Sequence, residues 1–379
     1  MADREAEVLA KIASSVCALD AQAWDRVAGP NPFVSHTFLT ALEESGSVGA
    51  GTGWTPVPIV VENEAGELAA AAPAYLKAHS QGEYVFDHGW ADAWERAGGA
   101  YYPKLQVAVP FTPVPGPRLL GSRPQQLLAA LEAMTGQNAL SSAHVTFLEE
   151  GEATEAARRG WLIRHGIQYH WLNSGYRDFD DFLSSLTSRK RKAIRRERTA
   201  AREGLEFRAV TGGEIGPAEW DAMWRFYQDT GSRKWGRPYL TRAFFDRIGE
   251  TMADSLLMFL ACRDGKPIAG ALNVIGPDAL YGRYWGTIDE VRFLHFELSY
   301  YQAIEWAIDH GLSSVQAGAQ GEHKLSRGYA PVVTKSAHFI ADAGFRAAVS
   351  EFVGQERSAV AAEVEWLRRE LPYRCSSSE

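Results

Sequence analysis

Two titratable side chains in the second half of the chain stand where a predicted strand runs into a predicted helix. His295 and Glu297 follow the alternating segment Tyr281-Gly-Arg-Tyr-Trp-Gly286 and open a helical pattern that ends at His310-Gly311. A strand that feeds a helix N-terminus directs backbone N–H groups and the positive end of the helix dipole toward one place. A general base belongs at such a point, so both residues are candidates. The alternative is a buried, hydrogen-bonded histidine and a glutamate that serves the first helical turn.

A second polar cluster follows the next predicted strand, in Gln316-Ala-Gly-Ala-Gln-Gly-Glu-His-Lys-Leu-Ser-Arg-Gly-Tyr329. Its small residues allow the backbone to approach a ligand closely. Glu322 and His323 are rival candidates for the base, and the alternative is a polar turn that caps a helix. A metal site built from His295, His323 and Glu322 has only spacing in its favour, and we expect no metal.

The strongest charge feature is the run Arg189-Lys-Arg-Lys-Ala-Ile-Arg-Arg-Glu-Arg-Thr-Ala-Ala-Arg202. It carries eight basic residues against Glu197, a net charge of +7, which leaves −15 for the rest of the chain. The run begins after Thr187-Ser188 and stops before Gly204, signals that predict a helix. Because arginine binds phosphate bidentately and a segregated charge repels itself, a phosphate partner is favoured over a merely solvated helix face. The predicted phosphate contacts are Arg189, Lys190, Arg191, Lys192, Arg195, Arg196 and Arg198.

Composition places the chain among globular proteins and limits its partners. The 379 residues are 46% hydrophobic and 23% charged, with a net charge of −8, and they suit two domains of about 150 to 200 residues. The acidic balance argues against a protein coated by nucleic acid, so we expect no DNA partner. Three scattered cysteines without a CxxC pair, no leader pattern at Met1 and no long apolar run predict a cytoplasmic protein without a membrane span.

An internal repeat relates the two halves. Pro32-Phe-Val-Ser35-x-x-Phe38 matches Pro238-Tyr-Leu-Thr241-x-x-Phe244, and each Ser or Thr is predicted to cap an amphipathic helix. A hairpin pattern follows in each half, around Gly66 and around Gly265. These matches predict a duplicated helix–hairpin–strand–helix–strand unit, with a first domain at 1–165 and a second at 166–379.

The first half carries about 27 extra residues, rich in aromatic residues, proline and glycine, between its hairpin and its second helix. This insertion occupies about residues 80–118 and reads as a long loop, which in a compact domain is usually functional. The second domain is predicted to contain the basic helix at 189–202 and a C-terminal amphipathic helix whose apolar side includes Phe352, Val360, Val364 and Leu367.

Several segments resemble the FemAB-like predicted N-acyltransferases, grouped under peptidoglycan biosynthesis or recognition within the GNAT acyltransferase superfamily. The likeness covers about residues 31–340. The motifs that carry it are Tyr84-Val-Phe-Asp-His-Gly-Trp-Ala-Asp-Ala-Trp94, Tyr101-Tyr-Pro-Lys-Leu-Gln-Val-Ala-Val-Pro-Phe-Thr-Pro113, Lys234-Trp-Gly-Arg-Pro-Tyr239, Leu294-His-Phe-Glu297 and Gly318-Ala-Gln-Gly-Glu-His-Lys324.

The resemblance implies an α+β fold of two tandem GNAT-like domains, with mixed and mostly antiparallel sheets flanked by helices. It also implies transfer of an acyl or aminoacyl group from acyl-CoA or aminoacyl-tRNA, as co-substrate rather than tightly bound cofactor, to an acceptor amine. The glycine-rich coenzyme A loop of ordinary GNAT enzymes has no counterpart in residues 289–297, whereas a basic helical segment belongs to the relatives that use aminoacyl-tRNA. tRNA is therefore a candidate partner.

The expected roles follow from this interpretation. His295 or Glu297, with Glu322 or His323 as rivals, accepts the amine proton, and the basic helix holds donor phosphates. We expect that replacing His295 and Glu297 by alanine abolishes turnover and leaves folding intact. Substrate contacts are predicted at Asp87, Trp90, Tyr101, Lys104, Arg118, Trp235, Arg283, Tyr284, Trp285, Gln320 and Lys324. Two alternatives stay open: a non-catalytic GNAT-like protein that recognises RNA or a cell-wall precursor, and an amide-forming enzyme of secondary metabolism.

Overall fold

The computed structural model describes residues 10–235, 238–318 and 321–374, and of residues 232–235 it describes the backbone alone. The strands are β1 (Ala10–Ile12), β2 (Trp54–Pro56), β3 (Ile59–Glu62), β4 (Leu68–Ala72), β5 (Ala74–Lys77), β6 (Lys104–Val107), β7 (Leu120–Gly121), β8 (Ser142–Leu148), β9 (Leu162–Leu172), β10 (Glu206–Thr211), β11 (Leu256–Arg263), β12 (Lys266–Ile275), β13 (Ala279–Thr287), β14 (Ser314–Gln316) and β15 (Ala330–Ile340).

The α-helices are α1 (Ala21–Ala28), α2 (His36–Glu44), α3 (His88–Arg96), α4 (Pro124–Gln137), α5 (Glu150–Arg158), α6 (Phe179–Ser185), α7 (Ser188–Arg202), α8 (Pro217–Trp235), α9 (Arg242–Thr251), α10 (Leu294–Phe296), α11 (Gln302–Asp309) and α12 (Ala343–Arg369). A π-helical turn, Glu297–Tyr301, joins α10 to α11. Four 3-10 turns complete the helical elements: Val16–Ala18, Gly212–Glu214, Ala253–Ser255 and Glu322–Arg327.

The chain divides into two compact units. Unit 1 comprises Met1–Gly166 and Thr334–Val360, and unit 2 comprises Ile167–Val333 and Ala361–Glu379. Residues 334–360, which the sequence placed in the second domain, thus belong to the first unit. The reason is strand pairing: β15 hydrogen-bonds to β8 through Ile340↔Ser142 and its neighbours, which places this late segment among the strands of unit 1.

Both units build the same strand order from their parts of the repeat. In unit 1 the hairpin β3–β4 continues past Pro73 into β5, which pairs with β6, and β6 lies parallel to β8. In unit 2 the hairpin β11–β12 pairs with β13, which lies parallel to β14. Because proline cannot donate to a ladder, Pro73 splits the long second strand of the hairpin, and a separate sheet of order β1-β3-β4-β7 forms in unit 1.

The local signals of the repeat are confirmed. The Ser35 hydroxyl accepts from the Phe38 N–H at 3.2 Å and caps α2, and the Thr241 hydroxyl accepts from the Phe244 N–H at 3.3 Å and caps α9. Gly265 takes a positive φ of 72° in the second hairpin turn, where a side chain would be strained. The mixed α+β architecture predicted from the sequence is therefore present in both halves.

The aromatic insertion is more regular than the long loop that we expected. It contains α3 and β6, and β6 alternates because Leu105 and Val107 face the unit 1 core. The alternate side chains, Lys104 and Gln106, face the opposite side of the sheet, where both are fully buried. The insertion thus supplies a polar layer to the interior of unit 1.

The C-terminal helix forms as α12, and its predicted apolar side is confirmed in part, since Val364 and Leu367 are buried and Val360 is half-buried. Phe345, Val349 and Val353 are buried in unit 1, whereas Phe352 is 46% exposed. An apolar residue one position before Val353 lies about 100° around the helix, which turns it outward. In the part of the chain that the structure describes, no helix has the length and apolar character needed to cross a membrane.

Candidate functional site

The candidate site of unit 2 lies where two parallel strands stop pairing. β13 and β14 pair through Ala279↔Ser314, Leu280↔Val315 and Tyr281↔Gln316, after which β14 ends and β13 continues to Thr287. At the point of separation, Gly282 of β13 lies close to Ala317, the residue that follows β14. A Cβ added at Gly282 would lie 3.3 Å from the Ala317 Cα. Among the described residues, none continues this ladder beyond Tyr281, so the main-chain groups of β13 that follow can contact a ligand.

A bulge in β13 sets the direction of the next three side chains. The register with β12 jumps from Leu272↔Tyr284 to Asn273↔Gly282, so Arg283 is the extra residue. Tyr284 packs against Tyr227 and Phe245 with ring centroids 5.4 and 5.6 Å away. Trp285 instead lies 5.0 Å from the His295 ring. The structure therefore brings Trp285, but not Tyr284, to the histidines.

His295 and His323 meet in an aromatic cluster. The His295 ring centroid lies 5.2 Å from Tyr300 and 6.1 Å from His323, and Phe296 lies 5.5 Å from His323. The π-helical turn carries Tyr300 to this cluster, since its wider winding shifts the side chains that follow it; such turns are frequent at functional sites.

His323 makes the most direct acid–base contact of the cluster. Its Nε2 lies 2.8 Å from the Tyr300 hydroxyl. His323 is exposed and Tyr300 is buried, so the phenol orients an imidazole that solvent or a substrate can reach. A base that is oriented by a hydrogen bond to one ring nitrogen can take a proton at the other. Of the four predicted bases, His323 has this arrangement, and Glu322 beside it is also exposed.

Lys324 is a buried ammonium just beyond the end of β14. Lys324 is 1% exposed, and its Nζ donates a hydrogen bond to the Gly318 carbonyl at 2.6 Å. Burial lowers the pKa of Lys324 to about 7. Burial, with a contribution from Lys324, also lowers the pKa of His170 to about 4. An amine whose pKa is lowered this far at a strand end is typical of functional sites.

Glu297 has a role different from the one that the sequence suggested. Its carboxylate is fully buried, 3.1 Å from Arg198 Nε and 2.6 Å from Arg202 Nη2. Arg198 also reaches Glu305 at 2.6 Å. Both carboxylate oxygens already accept hydrogen bonds from guanidinium groups, so neither is left for an acceptor amine. Glu297 therefore links α7 to the π-helical turn, and from these contacts we expect its removal to lower the stability of unit 2.

The basic helix forms as predicted, and the structure divides its cations into two groups. Arg195 pairs with Asp180, and Arg198 and Arg202 pair with Glu297. The remaining predicted phosphate contacts have no carboxylate partner within the described ranges: Arg189, Lys190, Arg191, Lys192 and Arg196.

Three of these unpaired cations share one exposed face. Arg189, Lys192 and Arg196 are spaced three and four residues apart and lie opposite the buried Ile194. They extend about 10 Å along the helix at 1.5 Å per residue. Such a row suits an extended phosphate backbone.

Unit 1 contains a buried charge network that unites three of the predicted contacts. Lys104 Nζ lies 2.7 Å from Glu83 Oε2 and 2.5 Å from Asp87 Oδ2, and the Tyr101 hydroxyl donates to Asp87 at 2.7 Å. Burial raises the pKa of Glu83 to about 7. Burial also acts to raise the pKa of Asp87, but the charges of Lys104 and His144 hold it below its usual range.

The network continues to residues that the sequence interpretation missed. His144 Nδ1 lies 2.7 Å from His338 Nδ1, and burial lowers the pKa of His144 to about 3. Lys77 Nζ lies 3.7 Å from Glu83 and 3.6 Å from the centre of the Trp54 ring, and burial lowers its pKa to about 7. A signal for Lys77 was present, since it is the charged residue of the strand Ala-Tyr-Leu-Lys77.

The other predicted contacts have different surroundings. Trp90 packs at 5.0 Å from the His338 ring and under Arg164. Arg118 is buried and donates to the Val114 and Pro117 carbonyls, so it holds its own loop together and offers little to a substrate. The side chain of Trp235 and the whole of Gln320 lie outside the described residues. Over the described ranges, no three His, Cys, Asp or Glu side chains come close enough together to hold a metal ion.

Solved structures resemble this fold at low sequence identity. FemX is 13% identical, with a TM-score of 0.55, and the match covers 88% of this chain and 98% of FemX. A conserved protein of unknown function from Bacteroides thetaiotaomicron is 11% identical, with a TM-score of 0.50 and coverage of 87% and 99%. A tandem GNAT protein from the clavulanic acid biosynthesis pathway is 14% identical, with a TM-score of 0.43 and coverage of 89% and 99%.

The sequence itself gives the family. No curated protein matches it closely enough to count as a relative. The sequence model of the FemAB-like family, described as peptidoglycan biosynthesis/recognition, matches residues 15–375. The predicted α+β fold is confirmed by the mixed architecture of both units and by the likeness to FemX. With its duplicated strand order and a match over nearly its whole length, the chain belongs to the FemAB-like family.

Proposed function

We propose that this protein is an N-acyltransferase that moves an acyl or aminoacyl group from acyl-CoA or aminoacyl-tRNA to an acceptor amine. The observation that carries the proposal is the His323–Tyr300 pair beside the buried Lys324, placed where β13 and β14 separate. The family description supports an amine on a peptidoglycan precursor as the acceptor class.

In the proposed reaction the acceptor nitrogen attacks the donor carbonyl carbon. His323 donates Nε2–H to the Tyr300 oxygen and accepts the amine proton at Nδ1. As the C–N bond becomes an amide, the ester C–O or thioester C–S bond breaks, and the proton passes from His323 to the departing oxygen or sulfur. Proton transfer by a positioned side chain of this kind contributes about 10² to 10⁴ in rate.

Lys324 supplies the positive charge that this reaction needs. The carbonyl oxygen becomes negative in the tetrahedral intermediate, and an ammonium in a water-poor site stabilises that charge more strongly than one in water. Because Lys324 has no carboxylate partner in the described part of the chain, its charge is not already neutralised. N–H groups of β13 beyond its pairing with β14 would be additional donors.

The donor class is proposed from α7. The row of Arg189, Lys192 and Arg196 exceeds the length of one pyrophosphate and favours a nucleic-acid backbone, and therefore aminoacyl-tRNA over acyl-CoA. The same row would serve a non-catalytic protein that recognises RNA, which is the second candidate function. Turnover separates the two.

The test is transfer of a radiolabelled acyl group to amine acceptors, with acetyl-CoA and a mixture of aminoacyl-tRNAs as alternative donors. We expect amide formation by the wild-type protein and a loss of about 10² to 10⁴ in kcat for His323→Ala. His310→Ala is the matched control, because His310 is an exposed histidine of the same unit that stacks on Trp306. RNA binding without transfer from either donor contradicts the enzyme and supports the binding protein.

A further inference from the structure

Helix α7 contacts both segments that carry the candidate catalytic side chains, through residues adjacent in sequence. Arg198 lies on one flank and reaches Glu297 in the π-helical turn that presents Tyr300. Glu197 lies about 100° around the helix and reaches Arg327 in the 3-10 turn that presents His323 and Lys324. The two ion pairs have opposite polarity, since α7 supplies the cation to one segment and the anion to the other.

The Glu197 contact is well enclosed. Glu197 Oε2 accepts from Arg327 Nη2 at 2.9 Å and from the Tyr301 hydroxyl, and Arg327 Nε donates to the same hydroxyl at 3.0 Å. The side chains of Glu197 and Arg327 are 15% and 7% exposed. An ion pair so sheltered is screened little by salt and holds its geometry.

Arg327, held in place by Glu197, in turn contacts the segments that carry the candidate catalytic side chains. Its guanidinium lies 3.4 Å from the centre of the Phe296 ring, and Nη1 donates to the His323 carbonyl at 2.7 Å. The backbone of His323 is therefore fixed by an arginine whose own position depends on Glu197. Lys324 belongs to the same turn and lies one residue further along.

We propose that Glu197 is a positioning residue of the candidate site: it fixes Arg327, and through Arg327 the turn that carries His323 and Lys324. This inference rests on the proposed function for its effect on rate, whereas the constraint itself is independent of any reaction. A shift of about 1 Å in a reacting group costs about 10²-fold in rate, so loss of the constraint lowers kcat more than it raises KM.

The experiment compares Glu197→Gln and Glu197→Asp with the control Asp180→Asn. Asp180 of α6 pairs with Arg195 of α7 at 2.8 Å, and both side chains are more than half exposed. The control therefore removes one carboxylate from an α7 ion pair, as Glu197→Gln does, without touching the 3-10 turn. Glu197→Asp keeps the charge on a shorter side chain.

The first measurement is hydrogen exchange of the unliganded protein. In Glu197→Gln we expect amides of 322–327 to exchange about tenfold faster, while those of β11 stay as in the wild type. Asp180→Asn leaves both segments unchanged. If β11 also loses protection, the fold has opened, and Glu197→Asp then decides: faster exchange confined to 322–327 supports the constraint, and unchanged exchange there overturns it.

The second measurement is the division of the effect between kcat and KM. We expect about a 10- to 100-fold loss in kcat for Glu197→Gln, donor and acceptor KM values within about threefold, and partial recovery in Glu197→Asp. Unchanged exchange at 322–327, or an effect on KM alone, overturns the positioning role. If the wild-type protein transfers no acyl group, the proposed function fails, and the exchange comparison still tests the constraint.

Discussion

His144 and His338 meet through their Nδ1 atoms, 2.7 Å apart, in the interior of unit 1. A contact between two imidazole nitrogens requires one N–H and one lone pair, so the pair shares a single proton there. Both residues are about 1% exposed, and burial lowers the pKa of both, to about 3 for His144 and well below the ordinary value for His338. Lys104, Asp87 and Arg164 are the charged groups that act on them.

This relationship predicts acid sensitivity of unit 1. Below about pH 6.5 the unfolded chain takes up protons on these histidines and the folded chain does not, so their contribution to stability falls as the pH falls. Glu83 acts in the opposite direction, because its raised pKa favours the folded state as the pH falls from about 7 to 4.5. A comparison with His338→Phe isolates the contribution of the histidines. Between pH 7 and pH 5 the free energy of unfolding should fall in both proteins, and the fall should be about 2 kcal/mol smaller in His338→Phe than in the wild type. Urea unfolding measures this, and an equal loss in both proteins contradicts it.

Lys104 should be the most sensitive cation of unit 1. Replacing it by Met leaves Glu83 and Asp87 buried without their closest ammonium, which should lower the free energy of unfolding by about 3 to 5 kcal/mol. Lys11→Met is the matched control, because Lys11 forms an exposed pair with Glu62 at 2.6 Å and such pairs contribute about 0 to 1 kcal/mol. Similar losses for the two variants in urea unfolding would show that burial does not decide the difference.

Glu297→Gln should destabilise unit 2. The change leaves the half-exposed Glu305 as the carboxylate partner of Arg198, at an expected cost of about 3 to 5 kcal/mol. Glu365→Gln removes an exposed partner of Arg369 and serves as the control. If the Glu297→Gln protein is as stable as the wild type, Glu297 has no structural role, and the predicted role as a catalytic base is favoured instead.

Lys324→Met should separate stability from function. The lysine has a folded pKa of about 7 against 10.5 in the unfolded chain, so between these values its desolvation works against folding. At pH 7 we expect a gain of about 1 to 4 kcal/mol in unfolding free energy, a gain that shrinks toward pH 10, together with loss of turnover. A variant that is less stable at pH 7 would assign Lys324 a structural role.

The exposed face of α7 should govern salt-dependent binding of RNA. Replacing Arg189, Lys192 and Arg196 by Gln should reduce the slope of log affinity against log salt by about one for each phosphate that the variant no longer neutralises. The control replaces three exposed cations elsewhere in unit 2, Arg225, Lys266 and Arg368. Fluorescence anisotropy with bulk tRNA measures both slopes, and equal slopes for the two triple variants rule out a dedicated face.

The sequence by itself determined the elements whose cause is local. The capping residues Ser35 and Thr241, the hairpin glycines and the limits of α7 were readable because a helix or turn is specified by neighbours within a few positions. The duplicated strand order was readable for the same reason, since each half repeats the same local signals. The basic run at 189–202 showed from the sequence alone that positive charge is concentrated in one segment.

Only the tertiary structure decided which charges are used within the fold and which are left for a ligand. Glu297 lies two positions after His295 and was predicted as a candidate base, yet its carboxylate pairs with Arg198, 99 positions away in the sequence. Tyr300 gave no sequence signal and becomes the partner of His323 through the π-helical turn. The division of the chain also depended on β15 returning to β8. Such pairings join residues far apart in sequence and follow from packing, to which no local pattern is sensitive.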